Sequence, residues 1–316
     1  MCPGGGDIRL CQTPIPFLGG DPIHAAKTCL ITGANGLLGG ALQTVLAESF
    51  RVTARGHSQL DITNRAAVEA VLYETEPEVI VNGAALADVD RCQREPEAAM
   101  AVNRDGPRNL AAAAAKAGIF IVHFSTDYVF SGDARNPYRE SEGTGPLSVY
   151  GESKLAGEKA VASETSHHLI IRTAWLFGPG RPTLVDNVAD QLLRGERVEI
   201  VADQVSSPTY SLSLARATAR LMEQGETGLF HYVGRGSCSR YDMSIFIAEW
   251  LVSRGFKATV ADVTPLTSSE LDWTAPRPSY SSLSVERFEE ADGKKIPMWQ
   301  EMLSDYLESR IKDWSR

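Results

Sequence analysis

At 316 residues the chain is long enough for one large or two modest domains, and 43% hydrophobic with 22% charged residues is the balance of an ordinary soluble globular protein. A formal net charge of −9 argues against nucleic acid or an anionic membrane surface as the main partner, and no apolar run approaches a membrane span. The five cysteines (Cys2, Cys11, Cys29, Cys92, Cys238) are odd in number and hold no Cys-x-x-Cys pair, which favours reduced thiols in the cytoplasm over a disulfide frame or a zinc site.

Residues 1–27 are rich in Gly and Pro and lack the basic and apolar regions of a signal peptide, so they read as a flexible extension outside the fold. Thr28 to Thr32 is a short apolar run that suits a buried parallel strand, and it ends at Gly33-Ala34-Asn35-Gly36-Leu37-Leu38-Gly39. Leu37 to Glu48 then has helical periodicity. Arg51 to Ala54 predicts a second strand, Ala66 to Tyr73 a helix, and Glu78 to Asn82 a third strand. A long Ala-rich helical stretch, interrupted near Asp105-Gly106-Pro107, ends at Gly118, and Ile119 to Phe124 is a fourth strand delivering Ser125 and Thr126 at its carboxyl end.

After a helix carrying Tyr150 and Lys154 and a strand over His168 to Thr173, the pattern loosens at Gly178-Pro179-Gly180-Arg181-Pro182. Helices at Leu212 to Glu223, Tyr241 to Arg254 and Met298 to Arg310 follow, with strands at Val198 to Val201 and Leu229 to Val233. The alternation predicts an α/β protein with a doubly wound parallel (Rossmann) sheet, in which ligands bind outside the carboxyl ends of the strands. Residues 28–180 form the dinucleotide-binding domain, and 181–316 mainly a smaller, interleaved α/β substrate domain.

The chemistry lies where that architecture puts ligands. Gly33, Gly36 and Gly39 keep the first turn tight, so a pyrophosphate can approach backbone amides of Asn35, Gly36 and Leu37 at the helix start. An NAD site expects Asp or Glu near the end of the second strand, whereas an Arg accommodates a 2′-phosphate. Here the residues are Thr53-Ala54-Arg55-Gly56-His57-Ser58, so NADPH is preferred over NADH, with Arg55 on the phosphate. Asp61 and Ile62 are placed to cap the adenine, and Gly83, Ala84 and Ala85 are small where a ribose must pass.

A phenol whose proton must move at neutral pH is helped by a nearby cation, and Lys154 four residues beyond Tyr150 shares its helix face. Tyr-x-x-x-Lys alone arises often by chance. The ordered set of strand, glycine turn, helix, Thr126 closing a later strand, and then Tyr150 and Lys154 opening the next helix does not. Thr126, Tyr150 and Lys154 are the expected catalytic residues for reducing a ketone with a nicotinamide, Thr126 holding the carbonyl against the phenol. Asp127 is followed by Tyr128 rather than by the Glu that a sugar dehydratase would use, which argues for simple carbonyl reduction.

The glycine turn, Asn82-Gly83-Ala84-Ala85, Ser125 to Gly132, Pro146 to Glu158, Arg172-Thr173-Ala174-Trp175, Asp203-Gln204 with Ser207-Pro208-Thr209, and Arg277-Pro278 resemble the dTDP-4-dehydrorhamnose reductase family of extended short-chain dehydrogenases. The resemblance covers residue 28 to about 310. It implies NADPH-dependent reduction of the 4-keto group of a nucleotide-linked 6-deoxy sugar. Tyr150 would be the proton donor, Lys154 would contact Tyr150 and the cofactor ribose, and Thr126, Asp127 and Trp175 would meet the sugar. Thr183-Leu184-Val185 stands where the family usually shows Asn-Phe-Val, which bears on the identity of the nucleotide sugar. Some relatives hold magnesium between subunits; no matching acidic cluster is assignable, so no metal is expected, and a homodimer is compatible with the resemblance. Two other readings remain open at this point. One is a non-catalytic NADP-binding regulatory subunit resembling the beta subunit of methionine adenosyltransferase, and the other is a nucleotide-sugar epimerase.

Overall fold

A computed structural model describes residues 27–314. The expected N-terminal extension therefore lies, apart from Lys27, outside the described residues. The first half alternates strand and helix: β1 (Thr28–Thr32), α1 (Leu37–Leu46), β2 (Arg51–Arg55), α2 (Arg65–Thr75), β3 (Val79–Asn82), α3 (Val89–Arg94), α4 (Pro96–Met100), α5 (Gly106–Ala117), β4 (Phe120–Thr126), α6 (Val149–Glu164) and β5 (His168–Thr173). The second half is β6 (Leu176–Phe177), α7 (Leu184–Leu193), β7 (Val198–Val201), β8 (Val205–Ser206), β9 (Thr209–Tyr210), α8 (Ser211–Gln224), β10 (Gly228–His231), β11 (Cys238–Ser239), α9 (Arg240–Ser253), β12 (Val263–Leu266), α10 (Glu286–Asp292) and α11 (Trp299–Trp314).

Six strands form one parallel sheet in the order β10-β5-β4-β3-β1-β2. Successive side chains of a strand point to opposite faces, and both faces are covered over β1, β3 and β4, which is why these strands are buried almost throughout. Cys29, Ile31, Val79 and Val81 pack with Leu38, Leu42 and Val45 of α1 and Leu214 and Leu221 of α8. Leu30, Ile80 and Ile121 pack on the other face with Val68 and Leu72 of α2 and Leu110 and Ala114 of α5. The sixth strand, β10, comes from beyond residue 181, so the second half of the chain returns to complete the sheet of the first. The remaining strands of that half pair only in twos, β11 with β8, β12 with β7 and β6 with β9.

The Ala-rich stretch is more broken than its composition suggests. Pro96 and Pro107 each sit in the first turn of a helix, where a missing N–H costs nothing, and a π-helical turn over Ala101–Asp105 joins the pieces. No described helix is long and apolar enough to cross a membrane.

Candidate active site

The glycine turn joins the carboxyl end of β1, the neighbour of the edge strand β2, to α1. Gly33 has φ +66°, and a Cβ there would lie 2.5 Å from the backbone of Gly83 and Ala84 at the end of β3, so only glycine permits this approach of two loops. Gly36 caps α1 without any side-chain partner, which leaves the N–H groups of the first helical turn free of a side-chain cap. Asn82 fixes the neighbouring loop: its Oδ1 accepts from Thr32 Oγ1 at 2.7 Å and from the N–H of Ala84 at 3.1 Å, while its amide meets His123 Nδ1 at 3.0 Å.

Two adjoining cavities open along this line. One, of about 360 Å³, is walled by Gly33, Asn35, Gly36, Asp61, Ile62 and Gly83 to Ala85. The other, of about 540 Å³, has Leu37, Thr126, Asp127, Tyr150, Lys154 and Trp175 on its wall. Gly36, Gly83, Ala84, Ala85 and Arg181 border both, so a dinucleotide laid across the turn would run from the first into the second. Ser125 Oγ and Thr173 Oγ1 are buried on the wall of the larger cavity without a hydrogen-bond partner. Unpaired buried hydroxyls facing a cavity fit a polar ligand there.

Arg55 has a different partner from the one its position in the sequence suggested. Its guanidinium donates to Glu74 of α2 at 3.1 Å, and it is not among the residues lining either cavity. His57, two residues on, does line the first cavity, beside Leu60, Asp61 and Ile62. Asp61 accepts both the N–H and the hydroxyl of Thr63, which hold its carboxyl below the usual range. Gly39 lies inside α1, behind the turn, where a Cβ would meet the Gly33 carbonyl at 2.2 Å.

The catalytic candidates converge. Ser148 caps α6 by accepting from the N–H of Gly151 at 3.3 Å, and Gly151 lies so close to the end of β4 that a Cβ would stand 2.2 Å from the Tyr128 carbonyl oxygen. That approach sets Tyr150 against Thr126, with which it shares a side-chain hydrogen bond, and edge-on to Tyr128 at 5.8 Å between ring centroids. Lys154 lies one helical turn on and is 3% exposed. Its ammonium donates to the Phe124 carbonyl at 2.6 Å.

Burial, rather than the lysine, dominates the phenol. It pushes Tyr150 up, against the hydrogen bond to Thr126, so the group is protonated at neutral pH instead of being eased toward phenolate. Burial also pulls Lys154 down to about 8, opposed chiefly by the carboxylate of Glu158 one turn further on. Glu158 is itself held by Arg172 of β5 in a buried two-pronged pair at 2.8 and 2.7 Å.

Asp127 lines the larger cavity, with its carboxylate engaged by the protein. It is 2% exposed, and both its oxygens take protein hydroxyls: Oδ1 that of Thr126, and Oδ2 those of Ser206 and Ser281. Trp175 does line the larger cavity, with φ +40°, a left-handed conformation that costs a bulky residue on the order of 1 to 3 kcal/mol. The Arg240 guanidinium covers one face of its indole at 4.4 Å, so a sugar ring can stack only on the other face. Arg181, Arg240, His57 and the two serines were not singled out from the sequence. Ser206 adjoins the Ser207-Pro208-Thr209 motif, and Ser281 follows Arg277-Pro278 closely, which was the only signal for them. Among the described residues no group of three or more His, Cys, Asp or Glu side chains is arranged to hold a metal ion.

Comparison with known proteins agrees with this geometry. Residues 27–311 match the family model described as the RmlD substrate binding domain. The dTDP-4-dehydrorhamnose reductase of Mycolicibacterium smegmatis is 37% identical over 287 residues, covering 89% of this chain and 85% of that protein. The spore coat polysaccharide biosynthesis protein SpsK of Bacillus subtilis is 34% identical over 282 residues, covering 89% and 97%. The crystal structure of the dTDP-4-dehydrorhamnose reductase of Bacillus anthracis in complex with NADP superposes with a TM-score of 0.85 at 33% identity, covering 90% of this chain and all of that one. Sequence, fold and site thus lead to one assignment: the chain belongs to the dTDP-4-dehydrorhamnose reductase family.

Proposed function

We propose that the protein reduces the 4-keto group of a dTDP-linked 6-deoxy sugar with NADPH, converting dTDP-4-dehydrorhamnose to dTDP-L-rhamnose. The observation that carries this reading is a protonated phenol, Tyr150, hydrogen-bonded to Thr126 on the wall of a cavity that continues into the glycine turn. Relatives named for this reduction, and one solved with NADP, support it.

A bound nicotinamide dinucleotide would supply the hydride for the carbonyl carbon. The open amides at the start of α1, with Gly33, Asn35, Gly36 and Leu37, would hold its pyrophosphate, Asp61 and Ile62 its adenine end, and Gly83 to Ala85 a ribose. Tyr150 donates a proton to the carbonyl oxygen as that oxygen gains negative charge, and the Lys154 ammonium, charged below about pH 8, stabilises the phenolate left behind. Trp175 offers one ring face to the sugar. A second acid for dehydration is missing beside Thr126: Asp127 is turned into its hydroxyl partners and Tyr128 follows it. Use of a soluble dinucleotide and a nucleotide sugar supports a cytoplasmic location for this activity.

The test is consumption of NADPH with freshly made dTDP-4-keto-6-deoxyglucose, with and without a 3,5-epimerase to supply the L-sugar. Consumption that depends on the epimerase supports the reading, and no consumption with any nucleotide-linked keto sugar refutes it.

A further inference from the structure

Three hydroxyls from three separated parts of the chain converge on the one carboxylate of Asp127. Thr126 at the end of β4 donates to Oδ1 at 3.0 Å, and Ser206 of β8 and Ser281, in the segment before α10, donate to Oδ2 at 2.9 and 2.5 Å. A hydroxyl has a single hydrogen. While Thr126 spends it on an ionised Asp127, its oxygen can only accept, and it does so from the N–H of Tyr128 at 3.3 Å. In that arrangement Thr126 has nothing to donate to a keto oxygen, although reduction needs donors exactly where negative charge develops.

We propose that Asp127 is a positioning residue that sets the direction of the Thr126 hydroxyl: ionised, it withdraws the Thr126 hydrogen from the substrate oxygen, and protonated, it releases it. This role rests on the reductase reading above. With the carboxyl protonated, its own O–H serves the local oxygens, Thr126 turns its hydrogen to the carbonyl, and no buried negative charge opposes the forming alkoxide. No bond of Asp127 is made or broken in the reduction itself.

Burial raises the Asp127 carboxyl to about 6, against the lowering effect of Ser281, Ser206 and Thr126. The other titratable and charged groups on this side of the cavity are Tyr128, next in the chain, Tyr150 and Lys154 of α6, and Arg240 at the start of α9, with Arg277 beyond Tyr128. The two tyrosines are pushed up and neutral in this range, and Lys154, lowered only to about 8, keeps its charge, so Asp127 is the group whose charge changes there.

The test is the pH profile of kcat for wild type, Asp127→Asn, Ser281→Ala and Ser206→Ala, with KM followed in parallel. For wild type, kcat should fall on the order of tenfold as pH rises through the Asp127 titration, because a donor to the reacting oxygen is lost. Asp127→Asn, neutral at every pH, should show no such inflection. Ser281→Ala removes one donor to the carboxylate and should move the inflection upward by about one pH unit, which keeps the proposal falsifiable if the Asn variant fails to fold. A wild-type inflection unchanged in Ser281→Ala and Asp127→Asn overturns this role alone. Absence of wild-type turnover on any keto nucleotide sugar overturns the reductase reading and this role with it.

Discussion

Lys154 donates to the carbonyl oxygen of Phe124 at 2.6 Å, which ties the middle of α6 to the strand that ends in Thr126. The lysine thereby serves as a spacer as well as a charge. Because burial lowers its pKa to about 8, the ammonium is present below that value and lost as pH rises through it. The rate of reduction should therefore show a basic limb near pH 8. Lys154→Met should remove the limb and lower both turnover and cofactor affinity; a limb that persists in that variant assigns it to another group.

Tyr150→Phe keeps the ring and its edge contact with Tyr128 and deletes only the donor. Turnover should fall by about 10² to 10⁴, the usual worth of general acid catalysis, while the dissociation constant for NADPH stays within a few fold. Fluorescence titration with the cofactor and single-turnover kinetics separate the two. Unimpaired turnover would mean that another group delivers the proton.

Cofactor choice should follow the cavity wall. His57→Ala is expected to weaken NADPH by about 1.5 kcal/mol with little change for NADH, the low end for a hydrogen bond to a charged group. Arg55→Ala should cost less than half as much, since its guanidinium is committed to Glu74. Calorimetric titration of both cofactors decides the matter: a larger loss in Arg55→Ala would show that Arg55 leaves Glu74 for the 2′-phosphate.

Glu158→Gln leaves the Arg172 guanidinium, 4% exposed, without its carboxylate. Removing one partner of a buried pair typically costs about 3 to 5 kcal/mol, so a clear drop in the denaturation midpoint is expected. The same change removes the charge that holds Lys154 up, so the basic limb should also move to lower pH. A variant with wild-type stability and an unmoved limb would contradict both effects.

The parallel sheet, and the meeting of Thr126, Tyr150 and Lys154 on one cavity wall, were legible in the order and spacing of the motifs. Apolar runs between helical segments mark buried strands, and Tyr150 with Lys154 depends only on the helical repeat. The partners of Asp127 were not legible. Ser206 and Ser281 lie 79 and 154 residues away in segments with no periodic pattern, and only the packing of the two halves brings them together. Arg55 illustrates a different limit: its place at the end of β2 was readable, but whether a long flexible side chain turns to a ligand or to Glu74 depends on a neighbour that spacing does not specify. The dominance of burial over the lysine in setting the Tyr150 phenol was hidden for a similar reason, because it depends on how closely Gly151 lets α6 approach β4.

The late arrival of β10 beside β5 has a bearing on synthesis. As the chain leaves the ribosome, β5 is complete at Thr173, yet its outer edge has no partner until Gly228–His231 emerge, more than fifty residues later. An exposed, apolar parallel strand is prone to pair with other chains, so the nascent protein carries an open edge during that interval. The same topology means that cutting the gene near residue 180 would not yield an independent nucleotide-binding fragment, but one prone to aggregate along β5.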